Sequence, residues 1–220
     1  RQVGDLRNMV DEFSSFARMP KPVFREENFF DLVRQAIFLQ EVAHPAIRFA
    51  AEGAHEGSDL CCDRRQIGQA VTNILKNAVE AIEARQQIEQ DYSGAVTATV
   101  FRQEPYLVLT LDDNGIGLPA DRDRIVEPYM TTREKGTGLG LAIVKKIVEE
   151  HYGELSFEPN DQGGTRVTIR MDTVLLQGVF SPGRDAGRRS DQGDGVTVAA
   201  QFLGHHAAQV EVIVVEQDHR

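Results

Sequence analysis

Asp113-Asn114-Gly115-Ile116-Gly117 and, further on, Thr131-Thr132-Arg133-Glu134-Lys135-Gly136-Thr137-Gly138-Leu139-Gly140 are the stretch on which the fold turns. The first cluster ends an apolar, strand-like run over residues 106–112. The second opens a strongly periodic helix over 138–152, with Gly153 placed to close it. Glycine lets backbone N–H groups approach anionic oxygens, and a helix start adds the positive end of its dipole. Either cluster alone reads as an ordinary turn. Together, beside the helix described next, they point to nucleotide binding.

That helix is the longest in the chain. Asp63-Arg64-Arg65-Gln66 has the form of a capping box, and the helical pattern runs on to about Ala84. Ile67, Val71, Ile74, Ala78 and Ile82 fall on one face and form a core stripe. Gln69, Asn73, Lys76, Asn77 and Glu80 gather on the other. Asn73 and Asn77 are one turn apart, so their side chains are neighbours. Asparagine is a poor helix former, and two on one mid-helix face cost stability without an obvious return. A plain solvated face is one reading. The other is that their amide oxygens hold Mg²⁺, a hard ion that prefers oxygen and keeps water and phosphate ligands. Lys76 fits ordinary helix surface or a reach to phosphate; Glu80 fits surface equally well.

Around this centre the chain alternates strands and helices. An extended piece at 23–25 precedes a helix over 29–42, capped by Asn28 and ended by His44-Pro45. Residues 47–51 and 60–62 read as strands about a Gly-rich loop, 52–58. Residues 94–102 and 106–112 form a hairpin through Glu104-Pro105, and 155–158 with 165–171 form another through Asn160-Asp161-Gln162-Gly163-Gly164. At the N-terminal end, Val3, Leu6, Val10, Phe13 and Ala17 recur in steps of three and four. An amphipathic helix packed on its own domain would show this stripe. The stiff Met19-Pro20-Lys21-Pro22 that follows favours the tail of a long dimerisation helix instead. Arg1 already lies inside the helical pattern, so the chain is expected to be a fragment of a longer protein. Ser181 to Gly195 is rich in Gly, Arg, Asp and Ser and reads as a linker; the β-like alternation beyond it carries no chemistry.

The 220 residues are 41% hydrophobic and 26% charged, which suits one domain with a sizeable core. A net charge of −10 disfavours a nucleic-acid backbone or an anionic membrane as partner. Cys61 and Cys62, the only cysteines, are adjacent; a bond between neighbours is strained, and a reducing cytosol suits them. No apolar run approaches a membrane span.

These residues carry a resemblance. Asn73-Ile74-Leu75-Lys76-Asn77-Ala78 resembles the N box of the histidine-kinase branch of the gyrase/Hsp90/histidine-kinase/MutL ATPase superfamily. Asp113-x-Gly115-x-Gly117 is similar to its G1 box. Glu127-Pro128-Tyr129-Met130-Thr131-Thr132 is similar to its F box, with tyrosine where phenylalanine is usual. Gly136-x-Gly138-Leu139-Gly140 looks like its G2 box, and Gly163-Gly164-Thr165 its last glycine turn. Order and spacing match over residues 60–170. Phe16-Ala17-Arg18-Met19-Pro20-Lys21-Pro22 further resembles the junction of nitrogen-regulation, NtrY-like sensor kinases.

The resemblance implies an α/β fold, a two-layer sandwich of Bergerat type with a mixed sheet, over 23–171. It would follow a dimerisation-helix end at 1–19 and a hinge at 20–22, with a linker and tail at 172–220. It implies ATP and Mg²⁺ as cofactors. Asn77 would hold the ion, with Asn73 close by; Asp113 would accept from the adenine amino group, and Gly115 and Gly117 would approach the base. Tyr129, Thr131, Thr132, Lys135, Gly136 and Thr137 would belong to a mobile ATP lid. Gly138, Leu139 and Gly140 would meet phosphate, Lys76 would reach it, and Thr165 would line the adenine end. Superfamily members that hydrolyse ATP efficiently place a glutamate base where Asn73 stands. An amide cannot take a proton from water at neutral pH, which favours transfer to a protein side chain. The implied acceptor is a histidine, and none of His44, His55, His151, His205, His206 or His219 has the expected exposed-helix setting. His55 reads as loop surface, and His151 as a helix C-terminus where positive charge is favoured. The acceptor is expected upstream of Arg1. A homodimer through the N-terminal helix, a response-regulator receiver domain as partner, no nucleic acid, and the cytoplasmic side of an inner-membrane sensor kinase complete the implied picture. A nucleotide-sensing dimer module and an anti-sigma-type serine kinase share these residues; the heptad stub and Pro-x-Pro hinge favour the histidine kinase over the second.

Overall fold

Two polar caps fix where the main helices start. Asn28 accepts a hydrogen bond from the Asp31 N–H and begins α1, Phe29–Ala43. Asp63 accepts from the Arg65 and Gln66 N–H groups and begins α2, Arg64–Ile88. The computed structural model describes residues 19–118 and 138–180. The heptad stripe and the lid therefore lie outside the described residues. The remaining helices are α3, Gly140–Glu150, and α4, Thr173–Phe180. The strands are β1 (Arg25–Asn28), β2 (Arg48–Glu52), β3 (Asp59–Cys62), β4 (Ala95–Gln103), β5 (Tyr106–Asp113), β6 (Gly153–Pro159) and β7 (Thr165–Asp172).

Five strands form one sheet in the order β2-β4-β5-β7-β6, with β2 parallel to β4 and the other pairs antiparallel. β1 and β3 make a separate antiparallel pair. Period-two alternation decides which face is covered. Val96, Ala98, Leu107, Leu109, Leu111, Leu155, Phe157, Val167, Ile169 and Met171 are buried against the helices. Their neighbours Thr97, Thr99, Thr110, Ser156 and Thr168 are only partly buried on the opposite face. The stripe of Ile67, Val71, Ile74, Ala78 and Ile82 meets the sheet, all within the core. The result is the expected two-layer α/β sandwich with a mixed sheet. Cys61 and Cys62 are buried and unbonded. Among the described residues no helix is long and apolar enough to cross a membrane.

Local differences from the reading have physical causes. The capping box is not closed: Gln66 Nε2 donates to the Pro20 carbonyl, and the Asp63 N–H donates to His151 Nε2. α2 runs a turn past Ala84, where Arg85 pairs with Glu89 at 3.0 Å. α3 begins at Gly140 rather than Gly138 and ends at Glu150. Tyr152, not Gly153, takes the left-handed backbone there, at φ 54°. Regular structure does not stop near Met171. Asp172 accepts from the Leu175 N–H, Thr173 donates to the Pro105 carbonyl, and α4 buries Leu176 completely.

Candidate functional site

The turn after β5 is held by its own side chains. Asp113 is 4% exposed, and its Oδ1 accepts from the Gly115 N–H at 2.8 Å and the Thr165 N–H at 3.4 Å. Burial pushes its carboxyl up from 3.8 to about 6, against the pull of those two N–H groups. It is therefore ionised at neutral pH, at a cost. Asn114 accepts from the Ala95 N–H and donates to the Ser93 carbonyl. The Ile116 N–H donates to the Ala81 carbonyl, which seats the turn on α2. Gly117 has φ +78°, and a Cβ there would meet the Gly163 carbonyl at 2.9 Å. At Gly164 a Cβ would collide with the Asp113 carbonyl itself. Two glycine turns that are distant in sequence thus close on one carboxylate.

α2 links this turn to a second feature. Asn73 lies eight residues before Ala81, about 12 Å along the axis at 1.5 Å per residue. There α2 and α3 border a groove of about 420 Å³, lined by Arg65, Gly68, Gln69, Thr72, Asn73, Lys76, Gly140 and Ile143. Asn73 Nδ2 donates to the Gly140 carbonyl at 3.2 Å, which ties α2 to the start of α3. That start carries no side-chain cap and no acidic residue in its first turn. Its N–H groups and dipole favour an anion. Asn77 is half-buried and Lys76 is exposed on the same helix. The groove suits an anionic group, and the Asp113 carboxylate suits a hydrogen-bond donor.

Among the sequence-predicted residues, Asp113, Gly115, Gly117 and Thr165 meet at the carboxylate end, and Asn73, Lys76 and Gly140 at the groove. Leu139 is fully buried, so its side chain belongs to the core rather than the groove. Tyr129, Thr131, Thr132, Lys135, Gly136 and Thr137 lie outside the described residues. His55 is exposed and faces Asp31 at 3.2 Å. His151 does follow a helix end, but it is completely buried, and burial lowers its pKa. Nδ1 donates to the Ile147 carbonyl while Nε2 accepts from the Asp63 N–H. Those two partners require the neutral ring, so the favoured positive charge is absent.

Three supporting residues escaped the sequence reading. Arg85 donates to the Asn114, Gly115 and Gln162 carbonyls and lies 4.3 Å from the Tyr92 ring centre. Tyr92 donates to the Asn114 carbonyl. Asn160 donates to the Asp113 and Thr165 carbonyls and accepts from the Gln162 and Gly164 N–H groups. Only Asn160 had a local signal, as the first residue of a glycine turn.

Residues 62–175 match the model of the histidine kinase-, DNA gyrase B- and HSP90-like ATPase family. The nitrogen regulation protein NtrY of Azorhizobium caulinodans is 49% identical over 178 residues, 78% of this chain and 23% of that protein. An NtrY-like sensor histidine kinase of Rickettsia conorii is 36% identical over 177 residues, 80% of this chain and 28% of that protein. The chain thus spans about a quarter of the length of these relatives. Among solved structures, the nucleotide-free catalytic domain of histidine kinase ThkA superposes with a TM-score of 0.59 at 28% identity, covering 69% of this chain and 96% of that one.

Proposed function

Because the chain belongs to the histidine kinase-, DNA gyrase B- and HSP90-like ATPase family, we propose that it is the ATP-binding catalytic part of a sensor histidine kinase. One observation carries the reading: the turn that holds a buried carboxylate is seated on α2 at Ala81, and an amide-lined groove borders the same helix about 12 Å away, at the spacing of a purine and its phosphate chain. Asp113 accepts from the adenine amino group with the oxygen not engaged by Gly115. Gly115, Gly117 and Thr165 line the base. Asn77 holds Mg²⁺ through its amide oxygen, and Asn73 stands beside it. The donor set suits that ion, because amide oxygens are hard ligands that leave room for phosphate and water. Among the described residues no cluster of three acidic, Cys or His side chains supplies an alternative metal site. Lys76 and the open start of α3, at Gly138 to Gly140, neutralise phosphate charge. Tyr129, Thr131, Thr132, Lys135, Gly136 and Thr137 form the lid.

When bound, MgATP supplies an electrophilic γ-phosphoryl group. The chain's own part is to fix that group in line and to keep water unactivated. Asn73 serves the second task, since an amide is not a base at neutral pH. The acceptor is a histidine on the dimerisation helix of the longer protein. From there a response-regulator receiver domain takes the phosphoryl group onto an aspartate. The protein works as a homodimer on the cytoplasmic side of the inner membrane, in nitrogen regulation as the likeness to NtrY suggests. The test is to incubate the full-length protein with radiolabelled ATP and Mg²⁺ and look for an acid-labile, base-stable adduct. Nucleotide binding without such an adduct would instead identify a nucleotide-sensing module.

A further inference from the structure

Asp63, Gln66 and His151 are 2%, 4% and 0% exposed, yet none belongs to the nucleotide site. Buried polar groups of this kind need partners, and all but the Gln66 Oε1 find them in one another, in α3 or in the junction at 20–24. The Asp63 N–H donates to His151 Nε2 at 3.0 Å, and His151 Nδ1 donates to the Ile147 carbonyl of α3 at 2.8 Å. Asp63 Oδ2 accepts from the Val23 N–H at 2.8 Å, while Gln66 Nε2 donates to the Pro20 carbonyl at 2.8 Å. The Phe24 ring lies 5.1 Å from the imidazole. The segment that leads into the ATP domain is therefore bonded to the starting end of α2 and, through one histidine, to the finishing end of α3.

The same two helices are tied again by Asn73, ten residues along α2 from Asp63, and the Gly140 carbonyl at the start of α3. Asp63 to Asn73 spans about 15 Å of α2, and Gly140 to His151 about 16 Å of α3, at 1.5 Å per residue. The first ten residues of α2 and the whole of α3 thus run antiparallel between two locks. One lock is at the groove, the other at the junction. A shift at one lock cannot be absorbed by stretching a helix, so it displaces the other.

We propose that the Asp63–His151 joint couples docking of the 20–24 junction to the geometry of the phosphate end of the groove, making Asp63 and His151 positioning residues for phosphoryl transfer. The coupling rests on the ATP reading above. It gives movement of the dimerisation helix a physical route to the Asn73–Gly140 lock. By linkage the route runs both ways: with the docked junction holding the groove in its nucleotide-binding form, nucleotide tightens the junction in return.

Amide exchange at Val23 in the intact chain, with and without MgATP, tests this, alongside calorimetry of nucleotide binding. Saturating MgATP is expected to slow Val23 exchange by about fivefold or more. Asp63→Asn keeps an acceptor for the Arg65 and Gln66 N–H groups but turns an NH₂ toward Val23. It should abolish the response while nucleotide heat persists. His151→Leu strands the Asp63 N–H and should act alike; His151→Gln returns an acceptor oxygen and should restore the response. Nucleotide heat with unchanged Val23 exchange in the natural chain, or a full response in Asp63→Asn, would overturn the coupling. Absence of any nucleotide heat would instead remove the ATP reading, and the coupling with it.

Discussion

Replacing Asp113 by Asn should stabilise the empty domain while destroying its nucleotide affinity. The carboxyl is 4% exposed and rises from 3.8 to about 6 on folding, chiefly by desolvation. A raised folded pKa means that the native state holds its proton more tightly than the unfolded chain. Stability from this group therefore falls as pH rises from about 4 through about 6, then levels off. At pH 7 the penalty is about 3 kcal/mol, at roughly 1.4 kcal/mol per pH unit of difference. At pH 5 it is about half as large. Asn keeps an oxygen for the Gly115 and Thr165 N–H groups and removes the buried charge, but its own amide must be desolvated. A net gain of about 1–2 kcal/mol at pH 7 follows, shrinking by roughly 1 kcal/mol at pH 5. Urea unfolding of both chains at the two pH values measures this, and calorimetry measures the lost ATP affinity. A variant less stable than the natural chain at pH 7, or an advantage that does not shrink with acid, would refute the account of Asp113 as a costly buried anion.

Other outcomes follow from the same geometry. Gly164→Ala drives a Cβ into the Asp113 carbonyl and should cost about 1–3 kcal/mol, read by thermal unfolding. Gly140→Ala meets nothing within 4 Å; it should fold normally and lose affinity for MgATP, which a titration would show. Arg85→Ala frees the Asn114, Gly115 and Gln162 carbonyls from their shared donor. It should lower stability by about 1–2 kcal/mol and weaken nucleotide binding, whereas a loss of stability with affinity intact would show the clamp to be remote from the site. Asn77→Asp should leave the circular dichroism spectrum unchanged and eliminate phosphoryl labelling of the full-length protein; undiminished labelling would remove Asn77 from the metal site.

The amino-acid order alone determined the elements and the chemistry class. Helix stripes, strand alternation and turn residues are local properties, and the Asn28 and Asp63 caps, the two hairpins and the asparagine-bearing face of α2 were all legible for that reason. The glycine clusters likewise point to the proposed anion site, because their backbone freedom is written in residue type. Tertiary structure decided what depends on distant neighbours. Gln66 has capping-box form, yet its amide serves Pro20, since a nearer-than-sequence partner competed for it. His151 sits where a cation would be welcome, yet enclosure and the Asp63 N–H make it neutral. α4 gave too short an apolar pattern to stand out, and it exists because Leu176 finds the core and Pro105 supplies a carbonyl. Arg85 and Asn160 looked like ordinary surface and turn residues until folding brought three loops within reach of them. Desolvation and long-range hydrogen bonding act only after the chain has closed, which is why no window of sequence displays them.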